Sequence, residues 1–405
     1  MFVCIDKCLL GTKKHLISCT KTKQTYWGDV FPKDSWVLGT GHNEFRLSEV
    51  LQLLKKDITQ IFPEKFANSF SSLGLTDTEM PAHMCMPANV FKQCVQNVLE
   101  ESQSALETLE HAGYIQTLKT SQKVLLSLTR SSVEEQKIKR YIEESSSGPS
   151  VVSSLRSFIP RSGEFCDPVK YSLSRTVTGR MVVKSGPSIL TLSSKYRDIL
   201  KSKYKRGKIV QIDFVSLEPR VCRYVSGLNA AKDIYDDISS KIFQKNYERK
   251  IVKLAVLCAL YGVSTKKLAE FLSSETEARR VVKKVRKYFS LADLERKLLG
   301  QLMATKKISN FYGRPLQTEV FDSHVLISHF VQSTSVDVAL SGFYKIIKSV
   351  DKYNIDPIFL IHDAILFDVD EESFDFLKNV ASQGVDLSIG HFPTSLEIIS
   401  TRSDI

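Results

Sequence analysis

An α+β fold, with an antiparallel sheet and several long helices, is what the sequence predicts, and three observations lead to it. Short apolar runs bounded by turn or charged residues occur near both ends of the chain. Between them lie longer stretches whose apolar residues recur three and four positions apart. The last two apolar runs, Pro357–Leu360 and Ile365–Val369, are separated by a bend so short that the strands must pair antiparallel.

Taken in order, Phe2–Ile5 and His15–Cys19 read as the first strands of a hairpin or meander, with Gly11 and Thr12 at the turn. From Pro87 to Ala112 the pattern is helical. Val90, Phe91, Val95, Val98, Leu99, Ala105, Leu106 and Leu109 share a face, and Gly113 suits the C-terminal stop. A second helical stretch is expected over 118–143, and SSSGPSVVSS at 145–154 reads as a linker. Ile209–Asp213 is an apolar strand that ends in a carboxylate, and 233–244 and 248–261 read as helices.

Bulk properties narrow the function. A chain of 405 residues that is 42% hydrophobic has ample material for a large core and two or three domains. No run approaches the roughly 18 consecutive apolar residues of a membrane span. The N-terminal run MFVCIDKCLL lacks the basic region and cleavage site of a secretory signal. A soluble intracellular protein without a membrane partner is therefore expected. Eight scattered cysteines form no disulfide framework. Cys4, Cys8, His15 and Cys19 match no compact zinc spacing, and strand alternation accounts for them. The net charge of +11 favours a polyanionic partner. Its placement strengthens that reading: Lys195, Arg197, Lys201, Lys203, Lys205, Arg206 and Lys208 form one cluster, and Arg279, Arg280, Lys283, Lys284, Arg286 and Lys287 another.

Alone, Asp213 reads equally well as a turn-initiating or helix-capping residue. Asp363 is harder to dismiss, because a hairpin between such apolar strands prefers Asn-Gly or Asp-Gly, and here the turn is His-Asp-Ala. Two carboxylates on neighbouring strand ends are what two-metal phosphoryl transfer requires. Between them, Arg249, Lys253 and Leu257 stack along one helical face, with Tyr261 a turn further on. As an isolated segment this is an amphipathic surface helix with snorkelling bases. Beside paired carboxylates it is a helix offering two cations to a triphosphate and a ring to a base pair.

These segments resemble the family A polymerases, the group containing bacterial DNA polymerase I and its phage and mitochondrial relatives. DFVSLEPRV at 213–221 is similar to motif A, RKIVKLAVLCALYG at 249–262 to motif B, and IHDAILFDV at 361–369 to motif C. TVTGR at 176–180, NFYGRPL at 310–316 and VQSTSVDVAL at 331–340 resemble the segments that flank them, in the family's order. The resemblance implies a right-hand fold: an antiparallel palm sheet with helical fingers and a helical thumb. It implies DNA-directed DNA polymerase activity on primer–template DNA and dNTPs, with two Mg²⁺ ions for which Mn²⁺ substitutes. Asp213 and Asp363 become the metal ligands, joined by the Phe214 carbonyl. Arg249 and Lys253 grip the β- and γ-phosphates, Tyr261 guards the templating position, and Glu218 is the gate against a ribose 2′-hydroxyl. Leu257 lies beside the nucleotide's sugar. Arg180, Arg314, Gln332 and His362 contact the primer–template.

Departures from the family pattern are specific. Leu257 stands where Phe or Tyr is usual, Ala364 where Glu follows the motif C aspartate, Pro219 where an aliphatic residue is expected, and Ser328 where Asn is usual. A single-subunit RNA polymerase would carry a small residue in place of Glu218, and a reverse transcriptase would pair aspartates at 363–364. A catalytically weakened DNA-binding relative would account for Leu257 and Ala364 but not for the retained aspartates and cations. The first strand has no Asp-x-Glu, since Lys7 and Cys8 follow Asp6, so proofreading is expected to come from a separate exonuclease if at all, and a processivity partner is equally open. The organisation expected is a small module at 1–85 with a hairpin start, a helical thumb and linker at 86–165, palm at 166–230, fingers at 231–320, and palm with the catalytic hairpin at 321–405.

Overall fold

A computed structural model describes residues 1–39, 44–56, 72, 86–144, 148–243, 247–316 and 322–402. The chain separates into two compact units, one of Met1–Leu126 with Leu173–Arg175, the other of Ser127–Ser172 with Thr176–Ile405.

The first unit holds β1 (Phe2–Ile5), α1 (Lys7–Leu10), β2 (His15–Cys19), β3 (Thr25–Gly28), β4 (Trp36–Leu38), β5 (Phe45–Arg46), α2 (Leu47–Leu53), α3 (Ala88–His111) and α4 (Ile115–Ser127). The expected first two strands pair antiparallel, with Cys4 opposite Ile17. The turn between them contains a short helix capped by Asp6, which accepts from the Cys8 N–H at 3.2 Å, and Gly11 closes it in the left-handed region at φ 65°. The sheet order is β3-β2-β1-β4-β5, with β4 parallel to β1 and β5 parallel to β4. Helix α3 buries Val95, Val98, Leu99, Ala105, Leu106 and Leu109, the predicted apolar stripe apart from its first turn, Val90 and Phe91. The second helical stretch proves to be two helices. A break at 128–134 carries the two-residue strand β6 (Ser132–Val133), and α5 follows (Glu135–Glu143). Leu128, Thr129 and Arg130 leave the helix because Thr129 donates its N–H to the Pro357 carbonyl at 2.8 Å and Arg130 bonds the Cys166 carbonyl, tertiary contacts that override local propensity. The expected linker is also corrected. Residues 145–147 lie outside the described region, but Pro149–Arg156 form α6, with Pro149 in its first turn and Leu155 fully buried.

The second unit continues with β7 (Lys170–Ser172), β8 (Val182–Ser185), β9 (Leu200–Lys201), β10 (Lys208–Phe214), α7 (Leu217–Val225), α8 (Ile234–Ile242), α9 (Arg249–Tyr261), α10 (Lys266–Leu272), α11 (Glu275–Tyr288), α12 (Leu291–Thr305), β11 (Ile308–Ser309), β12 (Pro315–Leu316), α13 (Ser323–Ser349), β13 (Ile355–Ile361), β14 (Ala364–Val369), α14 (Phe374–Gln383), β15 (Val385–Leu387), β16 (Gly390–Phe392) and β17 (Thr394–Thr401). Its core is a four-stranded antiparallel sheet in the order β13-β14-β10-β17. Val210, Ile212, Leu360, Ile365 and Phe367 share one face by register and are completely buried, and Phe359 and Leu366 on the other face of the central hairpin are buried as well. Helix α13 crosses close to β10 at Gly342, where a Cβ would come within 2.5 Å of the Phe214 ring, and Phe343 packs on that ring at 5.3 Å between centroids. Helices α8 to α12 pack on one another, and α9 and α12 pack on α13. Among the described residues no helix is long and apolar enough to cross a membrane.

Candidate active site

Asp213 sits near the end of β10, directly opposite Ala364 of β14 and Ser395 of β17. Asp363 occupies the bend between β13 and β14, and its carbonyl accepts the Phe214 N–H at 3.2 Å. The bend is tight enough to hold His362 at φ 54°, a left-handed conformation that a non-glycine residue adopts only under tertiary constraint. The strand register therefore brings both predicted carboxylates to one sheet end.

Their electrostatics are those of a site short of positive charge. Burial, with the neighbouring Asp363 charge second, pushes the Asp213 carboxyl up to about 7, against the lowering effects of the Phe214 N–H and Arg197. Burial also raises Asp363, and the Glu218 charge adds to it. One Asp213 oxygen, Oδ1, is buried without a hydrogen-bond partner. An orphaned buried oxygen beside a second destabilised carboxylate fits a divalent cation, which would offset both penalties. Among the described residues no three His, Cys, Asp or Glu side chains gather at one metal position, in line with Ala364 in place of a third acid. If a cation binds here, Asp213 and Asp363 would be its side-chain donors, and further ligands would have to be backbone, water or substrate oxygens.

Asp213, Phe214, Glu218, Arg249, Lys253 and Asp363 line one cavity of about 340 Å³. An adjoining cavity of about 310 Å³, sharing Leu217, Glu218 and Asp363, is lined by Arg180, Gln332 and His362. Glu218 links the two: it pairs with Arg180 at 3.0 Å and accepts a short hydrogen bond from the Tyr261 hydroxyl. Gln332 donates to Ser328 Oγ at 3.1 Å. Phe214 has its side chain buried against Phe343 and Phe392, so only its backbone is available to the cavity. Leu257 is 43% exposed on α9 and lines neither of these cavities.

Arg314 needs correction as a nucleic-acid contact. It is 1% exposed and lies 3.7 Å from Asp337, itself fully buried, while Asn310 bonds Asp337, Ser333 and the Arg314 N–H. A guanidinium needs a counterion to be buried, and Asp337 supplies it. Arg314 instead lies beneath the turn that carries Arg180: a Cβ on Gly179 would meet its guanidinium at 2.3 Å.

Other residues at the site were not singled out from the sequence. Asp233 caps α8 and pairs with Arg249 at 2.8 Å, and Asp236 pairs with the same guanidinium at 3.2 Å. Tyr235 lines the Asp213 cavity, and both Arg249 and Lys253 lie over its ring. An Asp before an apolar periodic run is the signal that could have found the cap; nothing local signals its reach to α9. Several basic-cluster residues are also engaged internally: Lys203 with Asp356, Arg206 with Glu371, Arg279 with Glu275, Arg280 with Glu277 and Arg286 with Glu295.

Comparison with solved structures finds similarity to the POL domain of Pol1 from M. smegmatis in complex with DNA primer-template and dNTP, at 16% identity and a TM-score of 0.48. That alignment covers 87% of this chain and 66% of the other, so the chain spans just under two thirds of the structure it matches. No curated protein matches the sequence. The family model for DNA polymerase family A matches residues 88–392, well over half of the sequence, and the chain belongs to that family.

Proposed function

We propose that the chain is a template-directed DNA polymerase that extends a primer 3′-hydroxyl with deoxynucleoside triphosphates. The observation that carries this reading is the single cavity in which Asp213, Asp363, Glu218, Arg249 and Lys253 converge. In this assignment the four-stranded sheet and α13 are the palm, helices α8 to α12 the fingers, and the helices between 86 and 165 the thumb.

The reaction joins the primer 3′-oxygen to the α-phosphorus, breaks its bond to pyrophosphate and releases the hydroxyl proton. Two Mg²⁺ ions, when bound by Asp213 and Asp363, would supply the charge stabilisation at the attacking and leaving oxygens. The protein's own groups do the remaining work. Arg249 and Lys253, one helical turn apart, bind the triphosphate; to do so Arg249 must exchange its carboxylate partners for phosphate oxygens. Glu218, held from two sides by Arg180 and Tyr261, keeps a rigid carboxylate beside the sugar, which supports selection against a 2′-hydroxyl. Gln332, His362 and Arg180 face the adjoining cavity, where a primer terminus would lie. Asp6, at the end of β1, is engaged in capping α1 and lies 3.2 Å from the His15 ring nitrogen. Followed by Lys7 and Cys8, it supports a reading without proofreading chemistry in this unit.

Primer extension by the purified chain with Mg²⁺ or Mn²⁺ tests the proposal. Asp213→Asn should lower the rate by about a thousandfold or more. No nucleotide addition by the parent chain above that control would leave a DNA-binding, non-catalytic family member instead.

A further inference from the structure

The first turn of α8 presents an unusual combination to α9. Its cap, Asp233, accepts the backbone N–H groups of Tyr235 and Asp236 at 2.9 and 3.1 Å and still reaches Arg249. Two residues after the cap stands Tyr235, partly buried and lining the same cavity. The Arg249 guanidinium carbon lies 4.8 Å from the centre of its ring and the Lys253 ammonium 5.6 Å. Two cations thus lie over one aromatic ring, and both line the cavity that Asp213 and Asp363 enter.

Two like charges a helical turn apart repel, and each side chain is long and rotatable. Their carboxylate partners restrain only Arg249, and those bonds must be released when an anion arrives. The ring is different. It has no charge to surrender, attracts both cations through its quadrupole, and is itself partly buried, which limits its motion. It therefore holds the pair side by side in the empty site and in the filled one.

We propose that Tyr235 is a positioning residue for triphosphate capture, its ring acting as a platform that orients Arg249 and Lys253 together toward the polyphosphate of the incoming nucleotide. The inference rests on the polymerase reading for the identity of the nucleotide, but the polyphosphate chemistry follows from the two cations. Preorganisation of this kind strengthens ground-state and transition-state binding alike, so it should appear in KM more than in kcat.

The test compares Tyr235→Phe, Tyr235→Trp and Tyr235→Leu in the full chain, by dNTP titration of primer extension and by calorimetric binding of inorganic tripolyphosphate. Loss of the ring in Tyr235→Leu should raise the dNTP KM and the tripolyphosphate Kd by about three- to thirtyfold with kcat changed by less than about threefold. Phe and Trp, which keep the ring, should stay within about twofold of the parent. A Tyr235→Phe chain as weak as Tyr235→Leu would overturn the proposal in favour of a direct hydroxyl contact, and so would an unchanged Tyr235→Leu. If the Leu variant fails to fold, Tyr235→Met, which fills similar space without a ring, takes its place under the same criteria. Tripolyphosphate binding needs no catalysis, so a parent chain that never extends a primer would sink the polymerase reading while leaving the platform still measurable.

Discussion

Asp213 carries the sharpest conflict in the molecule, a half-buried carboxylate raised to about 7 by burial and by Asp363. Its folded pKa stands above the unfolded value of about 3.9, so the folded state keeps a proton that the unfolded chain gives up. The stability it allows is therefore fully present below about pH 4 and is lost as pH rises to about 7. Metal-free protein should accordingly be stabilised by Asp213→Asn, by about 2 kcal/mol at pH 8 after allowance for its partial exposure to water, and by less at pH 5. Thermal melts at the two pH values in chelator read this directly, and a larger gain at pH 5 would refute the burial argument. Saturating Mg²⁺ should reverse the ranking, because only the aspartate can exploit the ion. A second residue-scale expectation concerns Tyr261, whose hydroxyl donates to Glu218. Among the described residues, Tyr261→Phe leaves that carboxylate with the half-exposed Arg180 as its one side-chain partner. Discrimination between dNTP and rNTP in single-nucleotide extension should fall by about three- to thirtyfold, and unchanged discrimination would mean that Arg180 alone positions the gate.

At the scale of elements, the turn at 176–180 depends on what lies beneath it. Gly179 has φ 76° and no room for a Cβ above the Arg314 guanidinium, while Thr176 Oγ1 bonds the Arg180 carbonyl at 3.0 Å. The buried Arg314–Asp337 pair therefore supports the segment that delivers Arg180 to Glu218. Removing one partner strands the other: Arg314→Met should cost about 3–5 kcal/mol in chemical denaturation, and Arg314→Met with Asp337→Leu should recover much of it. A double variant no more stable than the single one would show that the charge pair is not what the buried site requires. This element also marks the limit of what the sequence discloses. The strand ending at Asp213, the hairpin bend at Asp363 and the stripe of α3 are local patterns, written in periodicities of two and 3.6, and they were legible. Whether Arg314 faces DNA or an acid depends on Asp337, 23 residues further along in helix α13, and no local pattern reports that. Asp233 and Tyr235 illustrate the same point. Neither was singled out from the sequence, and the ring under Arg249 and Lys253 exists only because α8 packs on α9.

For the molecule as a whole, a net charge of +11 overstates the surface offered to a polyanion. Lys203, Arg206, Arg279, Arg280 and Arg286 are paired with acids of the same chain, so they are poor sources of counterion release. Lys283, Lys284 and Lys287 on α11 are exposed and form no ion pair among the described residues. They are the cations of that cluster left for phosphate. If this face follows a nucleic-acid backbone, replacing all three with Ala should weaken binding to primer–template DNA about equally for different sequences. It should also reduce the slope of log Kobs against log salt by up to about 3, close to one for each phosphate no longer neutralised. The paired Arg279 and Arg280 provide the internal comparison, since their replacement should change the slope by less. Fluorescence anisotropy across a salt series distinguishes the two sets. Equal slopes for the lysine variant and the parent would assign α11 to solvent and leave DNA binding to the cavity flanked by Arg180, Gln332 and His362.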